Sequence, residues 1–202
     1  TSSFTINVTD LNDTAPTAIG LSTTTFAEDI ASGSVVATLS ATDIDTASLN
    51  SFSYSLVSGD GINDASNSKF IISGNTLVTS GTFDYETAAS HAIYLQVNDG
   101  ANTFNQAFTL SITDQNDTPT DIDLSANAVD ENLASGTVVG ELSTTDADNG
   151  NTFTYTLVGG GSDNANFSIS GANLVTAAEL DFEAKNSYSV VIQTSDGSST
   201  YS

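Results

Sequence analysis

The feature that most constrains this chain is that it repeats itself. Asp10-Leu11-Asn12-Asp13-Thr14-Ala15-Pro16 returns as Asp114-Gln115-Asn116-Asp117-Thr118-Pro119, which places Asp117 104 residues after Asp13. Glu28 returns as Glu131, each followed by Ala-Ser-Gly and a Val-Val pair. Asp43-Ile44-Asp45 returns as Asp146-Ala147-Asp148, Asp84-Tyr85-Glu86 as Asp181-Phe182-Glu183, and Asp99-Gly100 as Asp196-Gly197. A fold that uses 202 residues to write one plan twice is a pair of similar units, each of about 100 residues, the usual size of a small sandwich domain. The spacing shortens from 103 at Asp43 to 97 at Asp84, so a loop near Gly59 to Ser68 is expected to be about six residues longer in the first copy.

Between the landmarks, apolar residues alternate with polar ones, the period of a half-buried strand. Val35–Leu39, Phe52–Leu56, Ile93–Val97 and Phe108–Ile112 all read this way. No window carries an apolar stripe at helical spacing. Short strands punctuated by Gly, Asn, Asp and Ser predict an all-β chain of antiparallel sandwiches with about seven strands per copy. The 38% apolar content, with 10 Phe and 6 Tyr spread along the chain, supports a folded polypeptide despite its acidity.

Charge then excludes function classes. Two Lys+Arg against 25 Asp+Glu leave a net charge of -23, so the chain cannot neutralise a phosphate backbone and nucleic acid is not a partner. With no Cys, disulfides, thiolate metal sites and thiol catalysis are out, and no apolar run is long enough to span a bilayer. The single histidine, His91, is expected on a surface or rim, which leaves no evident general base and predicts that the chain is not an enzyme. Without an initiator Met or a signal peptide, the chain is expected to be a slice of a longer protein or a processed product.

Sixteen of the 25 acidic residues stand at matching places in the two copies, at strand ends and in the junction. The first set is Asp10, Asp13, Glu28, Asp43, Asp45, Asp84, Glu86 and Asp99; the second is Asp114, Asp117, Glu131, Asp146, Asp148, Asp181, Glu183 and Asp196. Gathered carboxylates repel unless a cation sits among them, and Lys69 and Lys185 are too few. A hard divalent cation that accepts an irregular shell of oxygens, Ca²⁺, is the expected cofactor. Glycine-rich Gly159-Gly160-Gly161 and the EF-hand-like start at Asp146 lack the periods and closing ligands of calcium motifs and read as loops. Four formal sequons, at Asn7, Asn12, Asn116 and Asn166, read as accidents. Tyr85 and Phe182, between the paired acids, read as core plugs.

The ordered set of a Glu near the first strand, DxD, DxE, Asp-Gly and a DxNDxxP linker resembles the cadherin repeat. That resemblance covers nearly the whole chain and implies a cadherin-like, immunoglobulin-like architecture: tandem seven-stranded Greek-key sandwiches joined by a calcium-binding linker. It implies residues 1–13 as last strand and linker of a preceding repeat, 14–113 as repeat 1, 114–119 as linker, and 120–202 as repeat 2 lacking its last strand. The implied calcium ligands are Glu28, Asp84 and Glu86 from the first repeat, with Asp114, the Gln115 carbonyl, Asn116, Asp117 and the Thr118 carbonyl from the linker. Asp146, Asp148, Asp196 and the backbone near Asn151 complete the set from the second repeat. A further junction would use Asp10, Asn12 and Asp13 with Asp43, Asp45 and Asp99 of the same chain and Glu131, Asp181 and Glu183 of a neighbour. Thr118 departs from the usual Asn after the linker Asp, and the chain lacks the Trp that anchors strand swapping in adhesive vertebrate members. The closer likeness is therefore to repeats of bacterial surface adhesins.

The expected role is a calcium-dependent structural or adhesion module at the cell surface or in a secreted assembly. Its partners would be neighbouring repeats of a longer array or copies of itself, head to tail, with residues 3–9 donated as a strand to the second repeat of the next molecule. An alternative is a module that binds polysaccharide or another cell directly.

Overall fold

The structure, a computed structural model, describes residues 1–45, 49 and 51–202. The chain divides into two compact units, Thr1–Gln115 and Asn116–Ser202.

Unit 1 holds eight strands: β1 (Ala18–Leu21), β2 (Thr25–Ala27), β3 (Val35–Thr42), β4 (Ser53–Leu56), β5 (Phe70–Ser73), β6 (Thr76–Thr79), β7 (Ser90–Asn98) and β8 (Thr103–Thr113). They form two four-stranded sheets, ordered β1-β3-β6-β5 and β2-β8-β7-β4. All neighbours are antiparallel except β2 and β8, which run parallel with Phe26 opposite Ile112. The alternation in β7 selects its faces: His91, Ile93, Leu95 and Val97 point inward, while Ala92, Tyr94 and Gln96 are only partly covered. Leu110 and Ile112 of β8 meet them, and Phe26, Phe70 and Phe83 close the end of the core with ring centroids 4.9 to 6.1 Å apart. A side chain such as Leu110, fully buried, contributes on the order of 1.5–3 kcal/mol by leaving water.

Unit 2 repeats the plan with seven strands: β9 (Asp121–Leu124), β10 (Val138–Thr145), β11 (Thr154–Leu157), β12 (Phe167–Ser170), β13 (Asn173–Thr176), β14 (Ile192–Ser195) and β15 (Thr200–Tyr201). The sheets are β12-β13-β10-β9 and β11-β14-β15. Among the described residues its buried apolar side chains that pack into one cluster are Val139, Phe167, Leu174 and Leu180, with Leu142 and Val175 buried besides. Tyr188 and Val190, at the places that His91 and Ile93 hold in unit 1, are only half-buried, and residues 187–191 form no strand. The reason is local: in unit 1 the long β8 covers this stretch of β7, whereas β15 reaches only Thr194 and Ser195 of β14.

Four expectations change. His91 is not at the surface: it is 4% exposed, edge-on to Phe83, with Nδ1 at 3.1 Å from Ser66 Oγ. Inward alternation along β7 puts it there. Phe182 is not a core plug; it is 58% exposed, beside the uncovered end of unit 2, while its counterpart Tyr85 packs on the closed core of unit 1. The six extra residues of the first copy do not sit in one loop. β4 precedes β11 by 101 residues and β5 precedes β12 by 97, so two extra residues fall between Asp45 and Ser53 and four between β4 and β5. The stretch between β4 and β5 lies outside the strands, where insertions leave strand register undisturbed. Residues 3–9, expected as a strand, pair with none of the described strands, and Phe4, Ile6 and Val8 are 86–93% exposed. A strand cannot exist without a neighbour to satisfy its backbone.

Candidate metal centre

Each unit gathers acids at both ends of its sandwich. At one end of unit 1, Glu28 follows β2 directly and is 8% exposed. Its Oε2 accepts from Tyr85 N at 2.5 Å and its Oε1 from Gln115 N at 2.7 Å, so one carboxylate fastens the DxE turn and the end of the chain that leaves β8. Asp84 is oriented by Thr87, whose N–H and hydroxyl each donate at 2.9 Å. The Thr87 amide, then its hydroxyl, hold the Asp84 carboxyl below the usual aspartate range. One carboxylate oxygen each from Glu28, Asp84 and Glu86 lies within 4.8 Å of the others. Asp114, which precedes Gln115, is exposed, and its carbonyl accepts from Gln115 Nε2.

The other end of unit 1 collects the junction residues. Asp45 N donates to Asp43 Oδ1 at 2.9 Å, and Asp45 Oδ2 accepts from Thr14 N at 3.1 Å. Asn12 Nδ2 donates to the Asp99 carbonyl at 3.1 Å. Asp99 is 1% exposed, and its Oδ1 accepts from the amides of Ala101 and Asn102 at 2.7 Å. That turn needs Gly100, whose φ of 106° is open to glycine and strained for other residues. The Asn102 amide first, with Ala101, keeps Asp99 ionised well into acid. Asp10 and Asp13 lie exposed on the segment leading in.

Unit 2 rebuilds the arrangement. Asp148 N donates to Asp146 Oδ1 at 3.0 Å, Asp148 Oδ2 accepts from Asp117 N at 2.9 Å, and Asn116 Nδ2 reaches Asp196 Oδ2 at 3.0 Å. Asp196 Oδ1 accepts from Ser198 and Ser199 amides at 2.6 Å, and Ser199 with Asn116 lowers its pKa. Thr118 is exposed and Asn151 half-buried. Glu131, Asp181 and Glu183 also bring one oxygen each within 4.8 Å, but in more open surroundings than Glu28.

The donors are all oxygens, which suits a hard cation and excludes a thiolate or imidazole site. Among the described residues, Asp43 Oδ2, Asp99 Oδ2, Asp146 Oδ2 and Asn12 Oδ1 are buried and accept no hydrogen bond. An orphaned buried carboxylate oxygen is costly. The all-oxygen donor chemistry fits calcium. Reading the sequence alone missed the residues that orient these acids, Thr87 and Asn102. Thr three places after Asp84 in a turn was the available signal. The one ion pair among the described residues, Lys185 with Asp163, lies outside the expected set; Asp163 Oδ2 also accepts from Ser189 N at 2.7 Å.

Residues 126–202 match the family model of the Cadherin domain. The chain is 35% identical over 180 residues to mouse Protocadherin Fat 4, covering 84% of this chain and 4% of that protein. It is 27% identical over 199 residues to human Protocadherin-23, covering 95% and 6%. Among solved structures, the Protocadherin GammaB4 extracellular domain superposes with a TM-score of 0.65 at 25% identity, over 96% of this chain and 32% of that one. Mouse Cadherin-23 EC22-24 gives 0.61 at 25%, over 94% and 61%. The chain thus spans a small fraction of the curated relatives it matches. These relatives are mammalian, and the bacterial affiliation expected from the sequence draws no support from them.

Proposed function

The chain carries a Cadherin domain and has the cadherin fold, and from that premise we propose that it is a calcium-dependent adhesion and structural module of an extracellular assembly. The observation that carries the reading is the set of buried carboxylate oxygens, on Asp43, Asp99 and Asp146, that no group among the described residues satisfies. Bound calcium supplies the positive charge that lets these acids coexist. Glu28, Asp84 and Glu86 would share it with linker residues Asp114, Gln115, Asn116, Asp117 and Thr118 and with Asp146, Asp148, Asn151 and Asp196. Asp10, Asn12, Asp13, Asp43, Asp45 and Asp99 would hold a second group, with Glu131, Asp181 and Glu183 of a neighbouring repeat or copy.

The protein's own contribution is preorganisation. Amides of Tyr85 and Gln115 each hold one oxygen of Glu28, while Ala101 and Asn102 hold Asp99 Oδ1 and Ser198 and Ser199 hold Asp196 Oδ1. A ligand that binds the folded units and not the unfolded chain stabilises them by mass action. Binding shared by both units would also fix their angle, so the function is to stiffen and extend, by binding rather than catalysis. Calorimetric titration with Ca²⁺ tests the first statement: heat that Asp99→Asn and Asp146→Asn reduce is expected, and no heat at millimolar Ca²⁺ refutes it. Small-angle scattering of Asp117→Ala tests the second. The variant with calcium should match the wild type with chelator, and an unchanged profile would sink the stiffening role.

A further inference from the structure

At four places in this chain a glycine follows an aspartate or an asparagine. Asp60-Gly61, Asp99-Gly100 and Asp196-Gly197 are the Asp-Gly pairs, and Asn149-Gly150 is the one Asn-Gly pair in the sequence. The four glycines share one backbone conformation, with φ of 83°, 106°, 100° and 86° in that order, the left-handed region that favours glycine. What separates the four places is how the side chain before the glycine is held.

The three aspartates are tied down. Asp60 Oδ1 accepts from Ile62 N at 2.9 Å and Asn63 N at 2.8 Å, Asp99 Oδ1 from the amides of Ala101 and Asn102 at 2.7 Å, and Asp196 Oδ1 from those of Ser198 and Ser199 at 2.6 Å. The amides of Asn63, Asn102 and Ser199 respectively do most to hold these carboxyls below the usual aspartate range. An ionised carboxylate offers no leaving group to the backbone nitrogen that follows it. Asn149 differs on both counts. Its carboxamide can release ammonia, and among the described residues no hydrogen bond holds its side chain. Asn149 and Gly150 are both exposed, and a Cβ placed at Gly150 would meet nothing within 4 Å.

We propose that Asn149-Gly150 is a site of spontaneous covalent modification, at which the Gly150 amide nitrogen closes on Asn149 Cγ and the side-chain nitrogen leaves as ammonia. The Gly150 N–H proton passes to solvent, the new N–Cγ bond completes a succinimide ring, and water reopens that ring at one of its two carbonyls. The product is aspartate or isoaspartate, with one water consumed and one ammonia released. The consequence lies next door. Asp148 N donates to Asp146 Oδ1 at 3.0 Å, and Asp148 Oδ2 accepts from Asp117 N at 2.9 Å. Isoaspartate routes the main chain through the former side chain, which inserts a methylene directly after Asp148 and shifts the carboxylates that these bonds aim. The modified chain therefore binds calcium less tightly in unit 2. That consequence rests on the calcium reading above, whereas the modification itself does not.

Ageing the folded chain in mildly alkaline buffer, followed by peptide mapping, tests the site. The peptide that holds Asn149 should gain about 1 Da, release ammonia in equal amount, and accept a methyl label from a protein-isoaspartate methyltransferase. Peptides that hold Asp60, Asp99 and Asp196 should take no label. Asn149→Gln, whose longer side chain closes a ring far more slowly, should change neither in mass nor in label at this position. An Asn149 peptide of unchanged mass, or label spread equally over the Asp-Gly peptides, would overturn the proposal. Calorimetry then reads the consequence: aged wild type should bind Ca²⁺ about tenfold or more weakly than fresh protein. Aged Asn149→Gln and fresh Asn149→Asp should both keep the fresh affinity, since neither lengthens the backbone. Equal affinity of aged and fresh wild type, or an Asn149→Asp chain as weak as the aged protein, would refute the effect on the metal end. Fresh protein that takes up no calcium would sink the calcium reading alone, and the mass and methyl label would still decide the modification.

Discussion

Replacing Glu28 by Gln keeps the size of the side chain and removes its charge, and the two effects act in opposite directions. Glu28 is 8% exposed and accepts two amides, Tyr85 N at 2.5 Å and Gln115 N at 2.7 Å. A Gln side chain offers one oxygen, so one amide faces an NH₂ group, and losing a charge-assisted bond costs about 1.5–3 kcal/mol. Against this, Glu28 and Glu86 bring oxygens within 4.8 Å. Two unit charges at that separation repel by about 1 kcal/mol in water and about 3.5 kcal/mol at an effective dielectric of 20. In chelator the terms offset, and Glu28→Gln should stay within about 1.5 kcal/mol of the wild type. In calcium the repulsion is already relieved and a ligand is lost. A hundredfold weaker site forfeits about 2.7 kcal/mol of linkage at saturating metal. Thermal unfolding followed by circular dichroism, with EGTA and with calcium, should therefore show a small change in the first and a drop of roughly 10–20 °C in the second. An equal drop in both conditions would mean that the carboxylate serves only to fasten the backbone, and the metal argument at this end of unit 1 would fail.

Leu110→Ala, fully buried opposite His91, should cost about 3–5 kcal/mol in chemical denaturation, read on the transition of unit 1. Gly140→Ala should destabilise unit 2 by about 1–3 kcal/mol, since a Cβ there meets the Ala126 backbone oxygen at 2.4 Å; an unchanged midpoint would show that this crossing relaxes. Burial pushes the His91 pKa down, with Lys69 adding to it. Its contribution is then complete above the ordinary histidine value near 6.5 and is lost as pH falls below it, because the unfolded chain takes up the proton first. His91→Phe should flatten the stability profile between about pH 6.5 and 5, and a profile identical to the wild type would refute the assignment.

The strands were legible because alternation is a local property: β3, β7 and β8 each contain the run that reads as a strand, and the buried partners of β7 are its every second residue. The acidic set was legible for a different reason. Repetition singled out Asp43, Asp45, Asp84, Glu86 and Asp99 before any geometry was known, and the turns that hold them obey short-range rules, such as Gly100 after Asp99. His91 failed that test, since a single histidine carries no period of its own and its side followed from the register of β7 against β8.

Composition, repetition and alternation thus determined by themselves that this is an all-β chain of two like units whose acids recur in matching places, because each depends only on residues near in sequence. Which carboxylate oxygens are left unsatisfied and where the extra residues of the first copy go were decided only in three dimensions. Those properties depend on which distant backbone amide or strand arrives beside a residue, as the amides of Tyr85 and Gln115 do at Glu28.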